Sequence, residues 1–170
     1  MAKTVMNWSR PPSGVVKLNV DAALAKESAM IAIVARDHGG EIVKAWAKEY
    51  QTCDPMVVEA AAILWAVQLA YAEQFTSIII EGDAKVCFDA VNGKAEDCNW
   101  SIPFICNDIS VLSQSFDGIC FCWVNREANS VADSLAKFSV QDLSNFCCNS
   151  CSLPAVVWQA WKRDVLASSS

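Results

Sequence analysis

Val15-Val16-Lys17-Leu18-Asn19-Val20-Asp21-Ala22 is the stretch whose reading decides the fold. Val16, Leu18 and Val20 fall on one side of an extended chain, and Lys17, Asn19 and Asp21 on the other. That period of two predicts a strand with one face in a core and one facing out. Asp21 is its last outward residue. Three further acids gain interest from where they stand. Glu59 is the only formal charge from Pro55 to Ala72, an apolar run that predicts a helix. Asp83 closes the apolar stretch that begins at Ser77. Asp133 lies in Arg126-Glu127-Ala128-Asn129-Ser130-Val131-Ala132-Asp133-Ser134-Leu135-Ala136-Lys137. Two carboxylates at strand ends and two on helices could converge on a divalent metal, since hard oxygen ligands suit such ions.

Outward from that strand, the chain divides readily. Residues 1–14 end in Arg10-Pro11-Pro12-Ser13-Gly14, a lead-in that is neither helix nor central strand. Strands are predicted from Val15 to about Ala23, from Ala29 to Arg36 and from Glu41 to Ala47. Asp37-His38-Gly39-Gly40 turns the second into the third. Asp54-Pro55 starts a helix that runs to about Gln74. A buried strand spans Ser77 to Glu81, a short helix follows Asp83, and Gly93 ends it. A polar loop leads to Trp100-Ser101, then a helix from about Ile102 to Ser115. A fifth strand covers Ile119 to Val124, and a helix reaches Phe138. Residues 141–152 read as a Ser/Asn/Cys-rich loop, and Leu153-Pro154 opens a last helix that caps the core. The order βββ-α-β-α-α-β-α-α predicts a mixed sheet with helices on it. The core domain then spans 15–140, with 141–170 packed on the same domain.

Composition narrows the function. With 170 residues and 54% hydrophobic content, the chain suits one globular domain. The first ten residues hold no signal-like apolar stretch, and no apolar run is read as long enough to span a bilayer. The expected setting is intracellular, nuclear or cytoplasmic, without membrane contact. Nine cysteines and a single histidine, His38, are expected to be reduced thiols rather than a zinc site. A net charge of −6 opposes tight binding of nucleic acid by bulk attraction.

Six pieces in order carry a resemblance. They are Trp8 with Pro11-Pro12-Ser13-Gly14, then Lys17-Leu18-Asn19-Val20-Asp21-Ala22, Arg36-Asp37-His38-Gly39-Gly40, Glu59-Ala60, Glu81-Gly82-Asp83, and the Arg126–Lys137 segment. Together they resemble the ribonuclease H-like family, in its plant, retrotransposon-derived branch. The resemblance implies an α/β fold with a five-stranded mixed sheet and helices on both faces. It implies an endonuclease that hydrolyses the RNA strand of RNA–DNA hybrids, recognised by 2′-hydroxyls and groove shape. It carries over Asp21, Glu59, Asp83 and Asp133 as catalytic ligands of two divalent cations, Mg2+ or Mn2+, and Asn129 and Arg126 as substrate-binding residues. The protein would be a monomer and its hybrid binding weak.

Ordinary readings stand beside these. Asp21 also fits a polar strand end. Glu59 gains from proximity to a helix N-terminus. Asp83 also suits the N-cap of the next helix. Asp133 also suits a solvated pair with Lys137, four residues on. Asn129 also suits a helix start, and Arg126 a pairing with Glu127 or Asp133. Three features depart from the resemblance. No glycine lies between Gly14 and Gly39, where many ribonucleases H bring glycine backbone against nucleic acid. Asn125-Arg126 stands where well-studied members carry a mobile histidine. No Lys or Arg lies between Lys94 and Arg126. A second class therefore remains open, a weak or inactive domain that serves as a nucleic-acid or protein interaction module.

Overall fold

The central strand β1 (Val16–Leu24) forms as its alternation predicts, but both of its faces are covered. Leu18 and Val20 join Ile31, Ile33, Ile78 and Ile80 in one core. The side expected to face solvent is buried too, for Lys17, Asn19 and Asp21 are each 5% exposed or less. Trp8, from the lead-in, and the helix that carries Asp133 pack over it. The structure, a computed structural model, describes residues 7–94 and 102–169. The loop expected before Trp100-Ser101, and Cys98 within it, lie outside the described residues.

β2 (Ala29–Arg36) and β3 (Ile42–Tyr50) follow β1 in an antiparallel meander. Their hairpin turns at Gly40, whose φ of +82° suits glycine and whose N–H donates to the Asp37 carbonyl at 3.0 Å. β4 (Ser77–Gly82) and β5 (Gly118–Trp123) run parallel to β1 on its other side. A sixth strand, β6 (Phe146–Cys148), pairs antiparallel with β3, so the order is β5-β4-β1-β2-β3-β6. Five strands were expected. β6 arises inside the segment read as loop, because three residues are too few to show a period of two.

Helices cover both faces. α1 (Pro55–Ala72), α2 (Lys85–Val91) and α3 (Ile102–Ser113) lie on the Leu18 side. α4 (Ser130–Asp142), entered through a 3-10 turn at Arg126–Asn129, and α5 (Ala155–Ser168) lie on the other. Asp54 caps α1, its side-chain oxygen accepting from the N–H groups of Met56 and Val57 at 3.0 and 3.4 Å. By length and composition α1 does reach the measure of a bilayer span, contrary to the sequence reading. Its place between sheet and α3 accounts for that composition, with Val58, Ala62, Ile63, Ala66, Val67 and Ala70 all buried. The eight described cysteines are free thiols. Burial pushes Cys87 up to about 12, where it stays a protonated, inert thiol.

Candidate active site

Asp21 rides on β1, Glu59 on the second turn of α1, and Asp83 follows the last residue of β4. Gly82 is that last residue. A Cβ there would stand 2.8 Å from the Phe88 ring and 2.9 Å from Val20, so only glycine lets α2 fold back against the sheet. These three elements bring one carboxylate oxygen from each of the three acids within 4.8 Å of the others. Among the described residues this is the one cluster of metal-ligating side chains so arranged.

Among the described residues no cation forms an ion pair with the three acids, and the electrostatics of the cluster follow. Burial, then repulsion from Glu59 and Asp83, raises the Asp21 carboxyl to about 9. Burial and Asp83 raise Glu59 to about 8. Burial raises Asp83 as well, against the opposing pull of Arg126. At such values Asp21 and Glu59 hold protons at neutral pH unless something positive sits among them. The capping role weighed for Asp83 is absent. Ala84 occupies the N-cap of α2 with no side-chain cap bond. The Asp83 backbone carbonyl instead accepts from the Trp123 indole N–H at 3.2 Å, leaving the carboxylate to the cluster.

Asp133 stands apart from the three. Its Oδ2 accepts from Lys137 Nζ at 2.8 Å and its Oδ1 lies 3.7 Å from Arg126 Nη2. The charge of Asp133 still reaches the cluster, raising Asp21 and Asp83. Arg126 is exposed, and its charge acts on both Asp133 and Asp83. Asn129 occupies the N-cap position of α4, as a helix start would, but its side chain makes no cap bond. It is fully buried, its Nδ2 donating to the Val20 carbonyl at 2.8 Å and its Oδ1 accepting from Asn19. The 3-10 turn is capped by Asn125, which accepts from the Ala128 N–H. As a substrate contact, Asn129 is corrected to an interior brace, because both ends of its amide are engaged inside the fold.

Residues 19–139 match the family described as reverse transcriptase-like. The chain belongs to that family. Comparison with curated proteins finds no match. Among solved structures, the fold is similar to ribonuclease H1 from the halophilic archaeon Halobacterium salinarum NRC-1, at 21% identity and TM-score 0.70. That match covers 76% of this chain and 99% of the other. It is also similar to the N-terminal ribonuclease H domain of rv2228c from Mycobacterium tuberculosis, at 16% identity and TM-score 0.68, covering 76% and 95%. A third likeness is LC11-RNase H1, solved in complex with an RNA/DNA hybrid, at 15% identity and TM-score 0.66, covering 74% and 96%. The fold of this family member is thus that of the ribonuclease H-like proteins.

Two exposed residues beside the cluster drew no notice in the sequence. Trp123 is 42% exposed, and Lys85 Nζ lies 5.9 Å from the centre of its ring. The aromatic at the end of the apolar strand β5 was the available signal.

Proposed function

We propose that this domain is a metal-dependent endoribonuclease that hydrolyses the RNA strand of RNA–DNA hybrids. The observation that carries it is the convergence of Asp21, Glu59 and Asp83 within 4.8 Å. Three carboxyl groups with hard oxygens, which a divalent cation would hold in the anionic form, fit Mg2+ or Mn2+. The same residues would hold one or two such ions, with Asp133 at the margin. Divalent cations there would supply Lewis acidity to a phosphodiester and lower the pKa of an attacking water.

The chain's own part is to hold and orient. Trp123 offers an aromatic face for a base or sugar, and its indole is fixed by the bond to Asp83. Lys85, Arg126 and Lys137 offer charge to phosphates around the acids. Lys137 also lines a groove of about 560 Å3 with Asp133, Phe138 and Val156, on the α4 and α5 side. Each of these cations has an acid near it, Asp89 for Lys85 and Asp133 for the others. The acting form is a monomer, and its binding to hybrid is weak and depends on salt.

The second reading, an interaction module, draws on the pairing of Asp133 with Lys137, which ties up the fourth acid. Cleavage of an end-labelled hybrid, with magnesium, manganese or chelator, separates the two. Metal-dependent cuts in the RNA strand are expected. Asp83→Asn should lose about three orders of magnitude of that activity, as when a member of a catalytic unit is removed. In chelator its melting temperature should hold or rise, because a repelling charge has gone. No cleavage by the unaltered chain with either metal would leave the module reading in its place.

A further inference from the structure

Behind the acids lies a second polar assembly, fully enclosed. Asn19, on β1, makes all four hydrogen bonds that an amide side chain can make. Its Nδ2 donates to Glu81 Oε2 and to Asn129 Oδ1, both at 3.2 Å. Its Oδ1 accepts from Trp8 Nε1 at 3.1 Å and Arg36 Nη2 at 3.3 Å. The partners fix which end of the amide is which, since donors meet only the oxygen and acceptors only the nitrogen. Glu81 also pairs with Lys17 at 2.8 Å, and Arg36 with Asp164 of α5 at 2.8 Å. The Trp8 ring lies 3.8 Å from the Arg36 guanidinium carbon.

The spacing matters more than the number of bonds. Asn19 stands two residues before Asp21 on β1, and Glu81 two before Asp83 at the end of β4. Asn129 stands four before Asp133, one turn back on α4. One side chain therefore ties together the three elements that carry three of the four acids, close behind each. Asn129 adds a direct bond to the Val20 carbonyl, the residue beside Asp21. Glu59, on α1, has no link to this assembly among its described bonds.

We propose that Asn19 is a positioning residue that sets the spacing of the Asp21 and Asp83 carboxylates. The proposal extends to both ends of the chain. Trp8 and Asp164 lie outside the residues that match the family, yet they complete the partners of Asn19 and Arg36. On this account α5 does more than cover the core, because Asp164 holds the guanidinium that holds Asn19. The proposal rests on the metal-site reading only for its effect on cation affinity.

The test uses the full chain with Asn19→Leu, which keeps volume and removes all four bonds. Asp164→Asn is the gentler second variant, weakening the far end of the assembly should the first not fold. Ile109→Ala, in α3 and away from both clusters, serves as a control of lowered stability. Carboxyl-carbon NMR in chelator, at one pH, reads the site without any metal. In the folded variants the Asp21 and Asp83 signals should move, and that of Glu59, which feels them only through its charge, should move less. In Ile109→Ala all three should stay. Manganese affinity should fall about tenfold or more in the two variants and stay level in the control. Signals that overlay those of the unaltered chain would overturn the proposal, as would movement of Glu59 alone. If the unaltered chain binds no manganese, the metal-site reading fails, while the carboxyl signals still decide the role of Asn19.

Discussion

The two polar clusters of this domain handle charge in opposite ways. The front cluster gathers three acids, and among the described residues no ion pair reaches them. The rear assembly buries Lys17 and Arg36 against Glu81 and Asp164, so its charges balance. Both stand partly on the same two strands, two residues apart. The front stores repulsion and is complete only with something brought from outside. The rear needs nothing from outside to balance its charge, although Arg36 Nε is left buried without a hydrogen-bond partner. Burial works against each charge of the Arg36–Asp164 pair, pulling Arg36 down and pushing Asp164 up, in opposition to their mutual attraction. Such a pair adds little net stability when intact and costs much when halved.

Halving the rear pair should give the largest change in stability. Asp164→Ala leaves a guanidinium buried without its carboxylate. The expected loss is about 3–5 kcal/mol, read by urea unfolding. Replacing Arg36 and Asp164 together with apolar residues of similar volume should recover most of it. If the single variant unfolds like the unaltered chain, the rear assembly is not the closed unit described here.

A smaller effect, of opposite origin, belongs to the front. Asp21 and Glu59 titrate at about 9 and 8 in the folded chain, against the ordinary carboxyl range when unfolded. Between those limits the folded state binds more protons than the unfolded one, so stability falls as pH rises. In chelator, the stability contributed by these groups should be greatest below about pH 4 and decline as pH rises towards 9. Excess manganese should flatten that decline. A chelator profile that rises steadily from pH 5 to pH 9 would show the acids to be far better compensated than their geometry indicates.

The smallest effect lies at the margin between the clusters. Lys137→Met breaks an exposed pair four residues apart on a helix, worth about 0.3–0.5 kcal/mol. Folding should barely change. Hybrid binding should weaken, and the slope of log affinity against log salt should drop by about one if Lys137 meets a phosphate. An unchanged slope would confine Lys137 to its pairing with Asp133.

The front cluster was legible in the sequence because its oddity is local. A carboxylate in an apolar helix stands out, and so does an acid that ends an apolar strand. The alternation of Val16, Leu18 and Val20 likewise announced β1. The rear assembly was hidden because each member looks ordinary in its own stretch. Lys17 and Asn19 alternate with apolar neighbours as if facing water, and Asp164 sits among Lys162 and Arg163 like any surface acid. Only the partner reveals burial, and the partner of Arg36 lies 128 residues away. Asn129 misled for the same reason, its motif being local while its contacts are not. β6 escaped because its register is set by β3 rather than by any pattern within Phe146–Cys148.

The separation between Arg36 and Asp164 also bears on how the protein is made. Synthesis delivers β1, β2 and Arg36 well before α5. While the ribosome is still adding residues 37 to 163, the guanidinium has no carboxylate to meet, and burying it then would be costly. Final closure of the sheet over Trp8 must therefore wait until Asp164 clears the exit tunnel. Segments docked earlier remain free to loosen until that moment. A nascent chain halted before α5 is expected to remain open to proteases, and the same chain extended past Asp164 to resist them.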